Sequence, residues 1–105
     1  PASLTKVMTL YVLFQDLKAG RLKLTSDLKV SQRAASMQPS KLGLKPGSTI
    51  SVENAIKALV TRSANDVAAT IGENLEGTEA NFAARMTRTA RAIGMAERTP
   101  KRRAS

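Results

Sequence analysis

Apolar residues recur at Leu4, Val7, Met8, Tyr11, Phe14 and Leu17, the three-and-four spacing of a helical face. The pattern predicts a helix over residues 4–18, with Gly20 as its stop. Leu10, Val12 and Leu13 add apolar positions outside that face, so this helix is expected to be buried on most sides. Residues 21–50 are irregular. Leu22, Leu24, Leu28 and Val30 alternate loosely with polar residues, which fits short strands. Pro39, Gly43, Pro46 and Gly47 punctuate residues 37–47, which read as loop.

The second half is more regular. Ser51 is the predicted N-cap of a helix over residues 52–62, with Glu53 in its first turn. A further helix is expected over residues 65–75, ending at Gly77. Thr78 then caps a last helix, with Phe82, Met86, Ala90 and Ile93 on one face and Gly94 as its end. Residues 96–105 hold charge, Pro100 and small side chains, and disorder is expected there.

Composition narrows the chemistry. A chain of 105 residues is one domain at most, and with 3% aromatics its core must be mainly aliphatic. No apolar run approaches the ~20 residues that span a bilayer, and no basic-then-apolar signal segment opens the chain. It begins on Pro1 rather than methionine, so a segment of something longer is expected. Cysteine and histidine are absent, which removes disulfides, thiol nucleophiles, imidazole bases and most transition-metal sites. No cofactor and no metal are expected. Covalent chemistry is left to Ser, Thr or carboxylate nucleophiles with a Lys, Asp or Glu base, and serine with lysine is the obvious pair.

The net charge of +9 is uneven, with seven Lys or Arg at 85, 88, 91, 98, 101, 102 and 103 against Glu97 alone. Such a cluster is the electrostatic footprint of nucleic-acid or anionic-surface binding, and it is also what a solvated helix face and a disordered end look like.

Ser3-Leu4-Thr5-Lys6 puts a serine and a lysine one helical turn apart at a helix start. The backbone N–H groups and helix dipole there favour negative charge developing on Ser3. The same field favours a neutral Lys6, the form that takes a proton from the serine hydroxyl. The spacing alone is cheap: Ser26-Asp27-Leu28-Lys29 repeats it in turn-rich polar sequence, where a turn with a solvated lysine is the expected reading. Downstream, Ser63-Ala64-Asn65 offers a proton relay in Ser63 and a substrate-holding amide in Asn65. Alternatively, Asn65 caps the following helix and Ser63 is a loop hydroxyl.

With these motifs in order, residues 1–95 resemble the serine D-Ala-D-Ala carboxypeptidases, the low-molecular-mass penicillin-binding proteins of peptidase family S11. Pro1-Ala2-Ser3-Leu4-Thr5-Lys6-Val7-Met8-Thr9 is similar to their nucleophile segment. Ser40-Lys41-Leu42-Gly43-Leu44-Lys45-Pro46-Gly47 resembles the loop that follows, and Arg62-Ser63-Ala64-Asn65-Asp66-Val67-Ala68 their second motif. Gly77-Thr78-Glu79 through Phe82, with Ala92-Ile93-Gly94-Met95, resembles the next helix and its end. A class A β-lactamase fits less well, since Ser-Ala-Asn stands in place of Ser-Asp-Asn and no Glu-x-Glu-Leu-Asn follows.

The resemblance implies a mainly α chain: the helical lobe of a penicillin-binding, β-lactamase-like α+β transpeptidase domain, with most of its sheet missing. Residues 1–95 would form a partial carboxypeptidase domain and residues 96–105 a divergent basic tail. Ser3 would attack the peptidoglycan stem pentapeptide between its two terminal D-alanines. Lys6 would act as base, Ser63 as relay and Asn65 as substrate holder, with β-lactams as covalent inhibitors of Ser3. The full-length protein is expected in the periplasm, at the cell envelope, with any membrane anchor outside this segment. The family's Lys-Thr-Gly strand has no counterpart in these residues, and Lys45-Pro46-Gly47 is no substitute because proline offers no N–H. Weak activity or none is therefore expected of this chain as it stands. The rival expectation is a small basic helical protein that binds nucleic acid or an anionic surface through its C-terminal Arg/Lys cluster.

Overall fold

The computed structural model describes residues 2–37 and 42–94, with side chains from residue 4 onward. The chain runs α1 (Ala2–Lys18), β1 (Asp27–Lys29), α2 (Gln32–Ala35), β2 (Thr49–Ser51), α3 (Val52–Arg62), α4 (Asn65–Glu76) and α5 (Glu79–Ala92). It is a mainly α lobe with one small two-stranded antiparallel sheet, as the resemblance implied.

Helix boundaries follow local chemistry. Ser51 ends β2 and caps α3, its hydroxyl accepting the Asn54 N–H at 3.2 Å. Thr78 caps α5 in the same way through the Asn81 N–H at 3.1 Å. Gly77 ends α4 at φ 86°, a left-handed conformation that costs glycine little. In this sheet Leu28 faces Ile50, both buried, while their neighbours Asp27, Lys29 and Thr49 point outward. That alternation is what a strand with one covered face requires. The short helix α2 lay unforeseen inside the irregular region; Ser31 caps it, and one turn is too brief to show helical periodicity.

Helix α4 is the centre of the lobe, packed against α1, α2, α3, α5 and β1. Its Val67 and Ile71 are wholly buried with Val12 and Leu13 of α1, Val52 and Leu59 of α3, and Phe82 of α5. The core is aliphatic apart from Phe82. Gly72 lets α4 and α5 approach closely, since a Cβ there would lie 3.0 Å from the Phe82 ring.

Two expectations need correction. Helix α1 is not buried on most sides: Met8, Val12 and Leu13 face the lobe, whereas Leu4, Val7, Tyr11 and Phe14 form an exposed stripe. The lobe covers a single side of α1, chiefly with α4 and α5, so the other apolar face stays open. Ile93 leaves the buried face of α5, because the helix stops at Ala92 and Ile93 becomes a 41%-exposed cap.

Arg85 does not belong to a free basic cluster. Its guanidinium donates to Asp16 at 2.7 and 3.1 Å and to Glu76 at 3.0 Å, tying α5 to the end of α1 and of α4. Arg21 adds a 2.9 Å bond to Asp16. Burial alone would push the Asp16 carboxyl up, but the hydrogen bonds and charges of Arg85 and Arg21 outweigh it and hold the carboxyl below the usual range. Arg88 and Arg91 are exposed. The expectations for residues 96–105, with the rest of the basic cluster, lie outside the described residues.

Candidate active site

The start of α1 and the junction between α3 and α4 meet at one place. The backbone of Ser3 lies in the first turn of α1; its side chain lies outside the described part. One turn on, the half-buried Lys6 donates from Nζ to Asn65 Oδ1 at 2.9 Å. Asn65 is the first residue of α4, and the cap position before it is Ala64, which has no side-chain acceptor. Asn65 is therefore not the N-cap that its residue type suggested. Its amide is turned instead toward α1.

The geometry of the junction explains that orientation. Ser63 has φ 52° and ψ 44°, the left-handed region, and is the one non-glycine residue with positive φ among the described residues. Such a conformation costs on the order of 1–3 kcal/mol outside glycine and persists where the surroundings enforce it. Here it closes α3, with the Ser63 N–H bonded to Leu59 O at 3.1 Å, and lets α4 start two residues later. Ala64 is fully buried beneath the turn. Ser63 itself is exposed, and its hydroxyl makes no hydrogen bond to Lys6 or Asn65 among the described residues.

Thr5, Lys6, Met37, Asn65, Ala68 and Glu79 line a hollow of about 240 Å³. A larger one, about 510 Å³, includes Lys29, Ser31, Glu73 and Asn74 in its walls and none of the predicted site residues. The smaller hollow is the better candidate, because it brings a lysine and an amide from separate motifs to one wall. The second Ser-x-x-Lys pattern breaks up in the fold: Ser26 accepts the Lys23 N–H in a turn and Lys29 is exposed on β1.

Sequence reasoning passed over Asp66 and Glu79. Asp66 is fully buried beside Asn65, accepting the Val67 N–H at 3.0 Å and the Leu44 N–H at 3.4 Å. It thereby ties the start of α4 to the loop before β2. A carboxylate in a first helical turn looks like ordinary dipole compensation, so no local signal marks the long-range bond. The described residues contain no cluster of three or more potential metal ligands, and none of their helices is long and apolar enough to cross a membrane.

The family model for peptidase S11, D-alanyl-D-alanine carboxypeptidase, matches residues 1–102. The carboxypeptidase DacC of Escherichia coli (strain K12) is 36% identical over 105 residues, covering 94% of this chain and 26% of that protein. DacF of Bacillus subtilis (strain 168) is 33% identical over 95 residues, 90% of this chain and 24% of its own length. Among solved structures, the carboxypeptidase DacD from Francisella tularensis superposes with a TM-score of 0.87 at 40% identity, over 90% of this chain and 23% of its own. Penicillin binding protein 5 from Haemophilus influenzae gives 0.81 at 30% identity, over 90% and 28%. The chain spans about a quarter of the length of these relatives. The nucleic-acid reading finds no support in the matches. By its sequence and its fold, the chain belongs to the peptidase S11 family of D-alanyl-D-alanine carboxypeptidases.

Proposed function

We propose that this segment supplies the nucleophile, the base and the amide of a serine-type D-alanyl-D-alanine carboxypeptidase acting on peptidoglycan stem peptides at the cell envelope, in the periplasm. The observation that carries the reading is the Lys6–Asn65 hydrogen bond, which sets the second motif against the turn of α1 that carries Ser3.

In this reading the Ser3 hydroxyl attacks the carbonyl carbon between the two terminal D-alanines while Lys6 takes its proton. Collapse of the tetrahedral intermediate breaks the C–N bond. The departing amine of D-alanine receives a proton from Lys6, relayed by Ser63. Asn65 holds the substrate amide and keeps Lys6 in register. Water then hydrolyses the serine ester, releasing the shortened peptide and restoring the hydroxyl. A β-lactam enters the same first step, but its leaving amine stays tethered after ring opening, so the acyl-enzyme keeps every atom of the drug.

Stabilisation of the oxyanion is the part these residues do not cover. The resemblance assigns it in part to a Lys-Thr-Gly strand, and the 105 residues contain no such triplet. One oxyanion donor is worth about 10²–10³ in rate, so turnover by this segment alone is expected to be slow. The test is D-alanine release from a stem pentapeptide by the protein carrying this segment. Release that disappears in Ser3→Ala is the expected result, and release that survives the substitution contradicts the reading.

A further inference from the structure

The start of α4 departs from those of α2, α3 and α5. In each of these three a hydroxyl at the cap position, from Ser31, Ser51 or Thr78, accepts the N–H of the third helical residue, Ala34, Asn54 or Asn81. The cap of α4 is Ala64, which offers no side-chain acceptor. The equivalent N–H belongs to Val67, and Asp66 Oδ1 accepts it at 3.0 Å. Asp66 thus performs from inside the first turn what a cap residue performs from in front of it.

The other carboxylate oxygen reaches out of the helix. Asp66 Oδ2 accepts the Leu44 N–H at 3.4 Å, across 22 positions of sequence. The Thr70 hydroxyl holds the backbone of the same residue, donating to Asp66 O at 2.9 Å. Asp66 and Thr70 are both fully buried. Such a group keeps its place, because moving it would leave buried polar atoms unsatisfied. Two residues earlier, Ser63 is held at φ 52°, a conformation that persists only where its surroundings over-determine it. Asn65 lies between that turn and the Asp66 bracket, so the direction of its side chain is set from both sides. Its Oδ1 receives Lys6 Nζ at 2.9 Å.

We propose that Asp66 is a positioning residue for acylation: by capping α4 from within and tying it to Leu44, it aims the Asn65 amide at Lys6. It acts on the reaction through Asn65, so the inference rests on the proposed carboxypeptidase reading.

The test is a double-mutant cycle on the protein carrying this segment. The readout is the rate constant of acylation by benzylpenicillin, at a temperature where thermal unfolding shows every variant to be folded. Asp66→Asn is the substitution used, because it keeps the volume and one acceptor oxygen; Asp66→Ala would strip both N–H groups and threaten the fold. Asp66→Asn should slow acylation about tenfold, within the cost of a misplaced catalytic group, and by no more than Asn65→Ala does. In the Asn65→Ala background the same substitution should change the rate by less than about twofold, because the amide that it aims is gone. A wild-type rate for Asp66→Asn overturns the positioning role. So does an equal loss in the two backgrounds, which marks a residue acting on the fold as a whole. In both cases slow acylation of Asn65→Ala leaves the carboxypeptidase reading standing. An Asn65→Ala protein acylated as fast as wild type overturns the positioning role together with the role given to Asn65.

Discussion

Lys6 Nζ donates a 2.9 Å hydrogen bond to Oδ1 of Asn65, joining residues 59 positions apart. The bond fixes both partners. It draws the lysine away from solvent toward the α3–α4 junction, and it fixes which end of the Asn65 amide faces α1, since lysine only donates. Asn65→Ala should release Lys6 and lower the rate of acylation by a β-lactam about 10- to 100-fold, the scale of a misplaced catalytic group. Lys6→Ala should cost more, about 10²–10⁴. Stopped-flow acylation kinetics measure both, and rates equal to wild type would remove these residues from the proposed machinery.

The Asp16–Arg85 pair predicts a pH dependence of stability. The Asp16 carboxyl is held below its usual range in the folded lobe, and it returns to about 3.9 on unfolding. Between those two values the unfolded chain binds more protons, so stability rises with pH. The contribution is complete above about pH 4 and disappears as pH falls through the lowered folded value. Thermal unfolding between pH 2 and 6 should show this slope, and Asp16→Asn should flatten it. A slope unchanged in that variant contradicts the assignment.

Arg85→Ala leaves Asp16 buried with Arg21 alone and removes a partner from Glu76. The loss should be about 1–3 kcal/mol, the cost of a buried acceptor deprived of a charged donor. Denaturant unfolding with an unchanged m-value checks this, and a loss below about 0.5 kcal/mol, the range of an ordinary surface substitution, would mean that the network is idle.

Gly72→Ala sets two effects against each other. Alanine favours the helix by about 1 kcal/mol, but its Cβ would meet Phe82 atoms at 3.0, 3.2 and 3.3 Å. Phe82 is buried and has little room to retreat. Overpacking costs about 1–3 kcal/mol, so net destabilisation and a lower Tm are expected. A higher Tm would show that the α4–α5 contact gives way.

The exposed stripe on α1 should be visible in solution. Leu4, Val7, Tyr11 and Phe14 lie at spacings of three, four and three on one helical face. Contiguous apolar surface of this kind binds hydrophobic dyes. The double variant Val7→Gln with Phe14→Gln should bind less anilinonaphthalene sulfonate at an unchanged Tm, because both side chains are about half exposed. Undiminished dye fluorescence would place the binding surface elsewhere.

Local chemistry was legible in the sequence wherever it decides structure. Ser51 and Thr78 as caps, Gly77 as a stop and the bounds of α3 follow from side chains that satisfy neighbouring backbone groups. The loose alternation of Leu22, Leu24, Leu28 and Val30 suggested short strands, and Leu28 lies in β1, but its pairing with Ile50 carried no signal in the sequence. Long-range partners were not legible. Arg85 reads as one more surface cation until Asp16 is seen 69 positions away. Asn65 reads as a helix cap until the αL turn at Ser63 moves the cap position to Ala64. The open face of α1 is a property of what packs beside the helix, which its own periodicity does not contain. At the candidate site, the pairing of Lys6 with Asn65 followed from the order of two motifs, whereas Asp66 and Glu79 acquire meaning only from neighbours distant in sequence.

The most direct test of the account is the intact mass of the protein carrying this segment after incubation with benzylpenicillin, followed by peptide mapping. One adduct retaining the full mass of the drug, on the peptide containing Ser3 and absent from Ser3→Ala, is the predicted result. An unmodified wild-type protein at saturating drug, or an adduct that persists in Ser3→Ala, would contradict the assignment of Ser3 as nucleophile.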